Sequence, residues 1–137
     1  MATLLIVYWS RTGGSRQMAE AAAGAAAAAA PATAVRLVAA AEAGPADLLE
    51  ASGYLFACPE NLASMAGMMK EFFDRSYYPV LDRIAGRPYG CMVCAGSDGT
   101  GAVRQLERIA TGWRLAAIAP AIIVNTDAQS PEAIAAP

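Results

Sequence analysis

A continuous apolar segment at the start of the chain, Thr3–Trp9, constrains the fold more than any other feature. It has the length of a strand and is rich in branched aliphatic residues. A strand that is buried on both faces, as in a parallel sheet, has this pattern. A polar loop, Ser10–Arg16, follows at once. The alanine-rich residues after it predict a helix that continues to about Ala30 and is closed by Pro31.

The rest of the chain alternates between strand-like and helix-like segments. In chain order we predict a strand over Thr33–Val38, a helix over Ala46–Ala51, a strand over Tyr54–Cys58, a helix over Ala66–Tyr78, a strand over Pro88–Ala95, a helix over Ala102–Thr111 and a strand over Ala117–Asn125. Pro79 is expected to break or kink the helix before it. This order predicts an α/β fold with a doubly wound five-stranded parallel sheet and helices on both faces. Residues 1–137 read as a single domain.

The end of the chain leaves this architecture incomplete. A helix is expected after the fifth strand, but Ala128–Pro137 is too short to supply it. Ser130, Pro131 and Glu132 nevertheless have the pattern of a helix start. Either the sequence is cut short here or another subunit covers this edge of the sheet. Because an uncovered apolar edge favours association, we expect a longer native chain or a homo-oligomer.

Composition excludes several classes of function. Hydrophobic residues make up 56% of the chain and the net charge is −2, so no basic surface for nucleic acid or membrane lipids is expected. Within the alanine-rich segment Ala19–Ala34, Glu20, Gly24 and Pro31 favour a surface helix over membrane insertion. We therefore expect a cytoplasmic protein. The absence of histidine excludes Ser-His-Asp and Cys-His catalysis and most zinc sites, and we predict no metal.

Three cysteines, Cys58, Cys91 and Cys94, raise the question of redox or metal chemistry. Cys91 and Cys94 have C-x-x-C spacing, but both lie within the predicted strand Pro88–Ala95. Two residues at this spacing in a strand point to opposite faces about 10 Å apart, whereas a disulfide needs Cα atoms within about 7 Å. We interpret the pair as buried core thiols.

The loop after the first strand has the chemistry of a phosphate site. Ligands of doubly wound sheets bind outside the carboxyl ends of the strands, and the following helix offers backbone N–H groups and the positive end of its dipole. A Walker loop needs a Gly-Lys pair, and a dinucleotide site needs G-x-G-x-x-G; the chain has neither, which favours a single phosphate monoester. An ordinary capped helix start is the alternative interpretation. The loop supplies glycines, hydroxyl groups and positive charge, from Gly13 and Gly14, from Ser10, Thr12 and Ser15, and from Arg11 and Arg16.

Three segments of the chain resemble the flavodoxin-like superfamily. Val7–Ser15 resembles its S/T-x-T-G-x-T/S loop for the phosphate of FMN. Pro59–Asp74 resembles the second signature of the branch of NAD(P)H-dependent FMN reductases and WrbA-type quinone reductases, and Ala95–Gly101 is similar to the third flavin loop. The resemblance implies a flavodoxin-like fold with FMN as cofactor. It implies that FMN is bound by Ser10, Arg11, Thr12, Gly13, Gly14 and Ser15 at its phosphate and by Pro59, Glu60, Asn61, Leu62, Met65, Gly96, Ser97, Asp98 and Gly99 around its ring.

The resemblance also implies an oxidoreductase in which NAD(P)H reduces bound FMN and a quinone or similar acceptor then takes the electrons. The flavin carries such chemistry, so a chain without histidine can serve. Flavodoxins usually flank the ring with aromatic residues, whereas neither ring-bordering loop of this chain contains one. This favours the enzyme. A flavodoxin-type electron carrier is the alternative, and a flavin-binding protein with a structural role is a third hypothesis.

Overall fold

Strands and helices alternate along the chain in the computed structural model, which describes residues 2–125. The apolar segment at the start forms the first strand, and the alanine-rich segment forms the longest helix. The strands are β1 Thr3–Tyr8, β2 Ala34–Ala39, β3 Gly53–Asn61, β4 Ser64–Met65, β5 Pro88–Ala95, β6 Ala116–Ala117 and β7 Ile122–Asn125. The helices are α1 Gly14–Ala29, α2 Pro45–Glu50, α3 Gly67–Val80 and α4 Thr100–Gly112.

The main sheet has the order β2-β1-β3-β5, with β6 and β7 both pairing with the free side of β5. Every one of these pairings is parallel, and Tyr8 at the end of β1 lies opposite both Ala39 and Ala57. The predicted doubly wound five-stranded parallel sheet is confirmed if β6 and β7 are counted as two pieces of one strand. After β1 the chain turns first to β2 on one side and then to β3 on the other, so the topological switch point lies between β1 and β3.

The predicted strand over Ala117–Asn125 is wrong in its continuity, because β6 and β7 are separated. Between the pairs Tyr89–Ala117 and Met92–Ile122, β5 advances by three residues while its partner advances by five. The extra residues bulge out of the ladder. Pro120 lies within this bulge, where its missing N–H group costs no sheet hydrogen bond.

Two further local features differ from the prediction. The predicted loop Pro59–Ser64 is a tight antiparallel hairpin, in which β3 runs on to Asn61 and returns as β4. Leu62 and Ala63 form its turn with φ values of +52° and +65°, which glycine and asparagine usually adopt. Pro79 does not end α3 at Tyr78 as predicted; it lies in the last turn of the helix, which ends one residue later at Val80.

The hydrophobic core is divided unequally between the two faces of the sheet. The larger cluster lies under α2, α3 and α4 and contains the fully buried rings of Trp113, Tyr54, Phe56, Phe72 and Phe73. The other face has a small cluster under α1, whose buried members are Ile6, Ala19, Ala57 and Met92. Within the described residues α1 is the helix that covers this second face.

Beside α1 the second face carries an apolar groove of about 290 Å³, and the Ile122 side chain there is 56% exposed. The predicted helix start at Ser130–Glu132 lies outside the described residues, and the homo-oligomer stays a prediction. The groove is lined by Met18, Ala21, Ala22, Met92, Ile122 and Val124.

None of the described helices is long and apolar enough to cross a membrane.

Candidate functional site

A cleft of about 230 Å³ opens at the carboxyl ends of β1, β3 and β5. In open α/β sheets ligands bind in the crevice at the topological switch point, and the cleft lies at this point. The register of the parallel strands therefore brings together three loops that are far apart in the sequence. The residues that line the cleft are Arg11, Thr12, Pro59, Glu60, Asn61, Cys94 and Gly96.

The loop after β1 is held by its own hydrogen bonds. Ser10 Oγ accepts a hydrogen bond from the Gly13 amide at 3.0 Å, and the Gly13 carbonyl accepts one from the Gln17 amide at 2.9 Å. Gly13 precedes α1 with φ +102°, a backbone angle that residues with a side chain rarely adopt. A Cβ atom built there would meet nothing within 4 Å, so glycine is favoured at this position by the backbone angle and not by a lack of space.

The first turn of α1 contains a buried hydroxyl group that the protein does not satisfy. Ser15 is 2% exposed, and its Oγ atom has no hydrogen-bond partner among the described residues. No side chain caps α1 either. A buried hydroxyl without a partner costs roughly 1–3 kcal/mol, and an anion at a helix N-terminus is stabilised by the dipole. The chemistry of this loop therefore fits the phosphate group of FMN.

The start of α4, on the other side of the cleft, is satisfied by the chain itself. Gly99 precedes this helix with φ +93°. The carboxylate of Glu60, which comes from β3, accepts hydrogen bonds from the Gly99 amide at 2.9 Å and from the Ala102 amide at 3.1 Å. Both oxygens of this cleft-wall residue are therefore engaged by the helix, and its charge lies at the positive end of the dipole.

The structure brings most of the predicted FMN-binding residues together around the cleft. Six of them line it directly, and the rest of the phosphate loop adjoins these, with Gly14 and Ser15 buried behind it. Their role in binding FMN stays a prediction. The six are Arg11, Thr12, Pro59, Glu60, Asn61 and Gly96, and the adjoining residues are Ser10, Gly13, Gly14 and Ser15.

Five predicted residues lie away from the cleft lining. Leu62 is fully exposed at the tip of the hairpin, and Met65 is 4% exposed and packs in the larger core cluster. Ser97 and Asp98 are exposed, and Asp98 Oδ2 accepts a hydrogen bond from the Thr100 hydroxyl at 2.7 Å. Gly99 is buried as the cap of α4. The hairpin explains the first two, because its turn carries Leu62 into solvent and its returning strand β4 brings Met65 back to the core.

Cys94 is a cleft residue that the sequence analysis assigned to the core. Cys91 is buried as predicted and Cys58 is buried as well, and burial raises the pKa of Cys58 to about 12 and that of Cys91 to about 11. Cys94 is half-buried and lines the cleft, and none of the three forms a disulfide. Its place at the carboxyl end of a predicted strand, two residues before Gly96, was the signal that could have found it.

The fold is that of a doubly wound α/β protein, and its cleft lies at the switch point between β1 and β3. The model of the family described as NADPH-dependent FMN reductase matches residues 39–129, well over half of the chain. The chain therefore belongs to this family, and its membership supports FMN as the ligand. The match begins after the loop Ser10–Ser15, so the assignment of that loop depends on its geometry and on the resemblance of its sequence.

Individual proteins confirm the flavodoxin-like fold. A flavodoxin of Aquifex aeolicus is 36% identical over 101 residues, which cover 74% of this chain and 52% of that protein, so the chain spans about half the length of this relative. The WrbA-like flavodoxin of Agrobacterium tumefaciens superposes with a TM-score of 0.77 at 19% identity, covering 98% of this chain and 89% of that one. The two-electron reduced flavodoxin of Megasphaera elsdenii gives 0.77 at 21% identity, covering 96% and 93%.

Proposed function

We propose that this chain binds FMN in the cleft and transfers electrons from NAD(P)H, through the flavin, to a quinone or a similar small acceptor. The observation that carries the proposal is the uncapped start of α1, where the buried Ser15 hydroxyl lacks a protein partner beside the cleft. Membership of the NADPH-dependent FMN reductase family supports the choice of flavin and of donor.

The residues after β1 would hold the phosphate group. The hydroxyl groups of Ser10, Thr12 and Ser15 can donate hydrogen bonds, the start of α1 has no side-chain cap, and Arg11 adds positive charge at the cleft. Since Ser10 already holds the loop closed through Gly13, the loop is preorganised for an anion. Preorganisation lowers the entropy that binding must remove.

The other side of the cleft would border the isoalloxazine ring. Pro59–Asn61 and Gly96 form these walls, and none of the seven lining residues is aromatic. When bound, FMN supplies the chemistry by accepting a hydride and passing on electrons. Walls without an aromatic shield leave a ring face on which a nicotinamide or a quinone can stack within about 3–3.5 Å, the distance that transfer requires.

A flavodoxin-type carrier without its own substrate is the second candidate. The observation that favours it is the 36% identical relative from Aquifex aeolicus, which is named a flavodoxin. The net charge of −2 argues against it, because carriers usually gain association rate from a strong complementary field.

Binding of FMN is tested by fluorescence titration of the purified chain with FMN and with riboflavin, which lacks the phosphate. We expect at least tenfold tighter binding of FMN, because the phosphate makes charge-assisted hydrogen bonds that riboflavin cannot make. Equal affinities would refute the phosphate loop.

The donor is tested by anaerobic stopped-flow mixing of the FMN-loaded protein with NADPH and, separately, with NADH. Rapid loss of the flavin absorbance with either donor, followed by its return on addition of a quinone, supports the reductase. If neither donor bleaches the flavin but an added reductase protein does, the protein is a carrier.

A further inference from the structure

The hairpin β3–β4 and the helix α4 are joined by two side chains that reach in opposite directions. Glu60 of the hairpin accepts hydrogen bonds from the Gly99 and Ala102 amides at the start of α4, as described above. In return Gln105 of α4 accepts a hydrogen bond from the Met65 amide at 2.8 Å and donates one to the Ser64 hydroxyl at 3.4 Å. We call these two residues and their bonds the hairpin clamp.

The backbones of the two elements approach so closely at the clamp that a side chain is excluded. A Cβ atom built on Gly101 would lie 2.1 Å from the Ala63 carbonyl oxygen and 3.1 Å from Glu60 Oε2. Glycine is therefore required in the first turn of α4. The hairpin turn therefore packs directly against the start of α4, with no layer of side chains between them.

The turn that the clamp holds is a strained one. Leu62 and Ala63 both have left-handed φ values, and for residues with a Cβ atom this conformation is unfavourable. Leu62 is fully exposed, so its own side chain contributes no packing that stabilises the turn. Strained backbone persists where surrounding contacts determine it, and the clamp supplies such contacts.

We propose that Glu60 and Gln105 are positioning residues for the flavin ring, an inference that rests on the proposed function. Glu60 belongs to one wall of the cleft and its hydrogen bonds end on Gly99, three residues after Gly96 in the opposite wall. The clamp therefore sets the separation of the two walls that border the ring. Both carboxylate oxygens are committed to α4, so Glu60 acts through the loop geometry and not as a ligand of the flavin.

The same carboxylate already satisfies amides at the start of α4. A helix N-terminus with free amides attracts anions, and the starts of α1 and α4 lie on the two sides of the cleft. The carboxylate of Glu60 already occupies the start of α4. An external phosphate is thereby left with the start of α1.

The test compares Glu60→Gln with a matched control, Glu107→Gln, which removes an exposed carboxylate from the same helix α4. An amide at position 60 keeps one acceptor but turns an NH₂ group toward a backbone N–H. We expect FMN and riboflavin to bind about tenfold more weakly to Glu60→Gln, by the same factor, because the ring walls and not the phosphate loop are altered. The visible spectrum and midpoint potential of the bound flavin should also shift. Glu107→Gln should match the wild type.

Gln105 provides a second pair of variants that keeps the test decisive if Glu60→Gln folds poorly. Gln105→Glu retains the acceptor for the Met65 amide, and the Ser64 hydroxyl can donate to its second oxygen. Gln105→Leu loses both bonds. We therefore expect Gln105→Leu to bind FMN and riboflavin more weakly than the wild type, and Gln105→Glu to bind both flavins like the wild type.

Amide hydrogen exchange on the flavin-free chain gives a readout that is independent of activity. Faster exchange at Gly99 and Ala102 in Glu60→Gln, without a general increase, supports the clamp. Unchanged exchange in that variant, or unchanged affinity and spectrum of the flavin, overturns the positioning role. A wild-type chain that binds neither flavin overturns the proposed function and the ring-positioning role with it, and the exchange data then report separately on the clamp.

Discussion

The starts of α1 and α4 look alike in sequence and differ in how their backbone amides are satisfied. Each follows a central strand, and each is preceded by a left-handed glycine, Gly13 at φ +102° and Gly99 at φ +93°. The start of α4 receives a carboxylate from Glu60, whereas α1 has no side-chain cap and contains the unsatisfied hydroxyl of Ser15. Whether the chain provides its own anion decides which helix start is left for a ligand.

The two starts also differ in the space around them. A Cβ atom on Gly13 would meet no other atom within 4 Å, whereas one on Gly99 would lie 2.7 Å from Ile123 Cγ2. The start of α4 is thus packed into the protein, and that of α1 is open.

Alanine at the glycines should separate packing from backbone strain. Gly101→Ala places a methyl group against the Ala63 carbonyl, which is backbone and cannot rotate away, so we expect a loss of about 3 kcal/mol in unfolding free energy. Gly13→Ala adds only left-handed strain, about 1–2 kcal/mol. Urea denaturation of the flavin-free chain measures both.

Equal losses in the two glycine variants would mean that the two helix starts are equally packed. Gly13→Ala should nevertheless weaken FMN more than riboflavin, since the loop that it distorts is the one proposed to hold the phosphate. If Gly13→Ala weakened the two flavins alike, the phosphate would have to bind elsewhere.

Removal of the Ser15 hydroxyl should have opposite effects on stability and on binding. Ser15→Ala deletes a buried donor without a protein partner, so the flavin-free chain should be as stable as the wild type or slightly more stable. FMN should bind about tenfold more weakly, about 1.4 kcal/mol, while riboflavin binding is unchanged.

Ser76 provides the control for Ser15. It is the other buried serine whose hydroxyl has no partner among the described residues, and it lies in α3, outside the cleft lining. In fluorescence titrations of both serine variants with FMN and with riboflavin, Ser76→Ala should bind both flavins as tightly as the wild type. An equal loss of FMN affinity in both variants would contradict a specific role for Ser15.

The cysteines should report the smallest effect, a difference in labelling rate between the packed interior and the open cleft. A bulky maleimide at pH 8 should modify Cys94 first, and saturating FMN should slow that reaction severalfold, because Cys94 lines the cleft. Mass spectrometry of digested samples assigns the sites. Labelling of Cys91 as fast as Cys94, or no protection by FMN, would place the flavin away from this thiol.

The raised pKa values of the buried thiols also predict the alkaline limit of stability. Burial raises the pKa of Cys91 from 9.0 to about 11, so the folded state retains a proton that the unfolded chain releases. The stabilisation that the protonated Cys91 thiol gives the folded state is complete below pH 9 and is lost as the pH rises through 11. In Cys91→Ala, unfolding free energy should fall less steeply between pH 9 and 11 than in the wild type, and parallel curves would contradict this.

Most of the sheet could be predicted because its strands are locally distinctive. Thr3–Trp9 and Pro88–Ala95 are apolar runs bounded by glycine or polar loops, and the structure places strands there to within a residue. The hairpin turn at Leu62 and Ala63 could not be predicted, because its residues lack the usual turn chemistry and are held by contacts with α4. Similarly, the interruption between β6 and β7 depends on the register against β5.

The alternation of strands and helices and the class of the sheet could be predicted from the sequence alone, and the phosphate chemistry of the loop Ser10–Ser15 stays a prediction made from it. These depend on residues close together in the chain, where hydrophobic pattern, glycine and hydroxyl groups act locally. The capping of α4 by Glu60, some forty residues earlier in the chain, and the position of Cys94 in the cleft lining depend on the tertiary fold. This is because a backbone N–H group at a helix start donates to any anion brought near it, and the packing of the sheet decides which side chain arrives there.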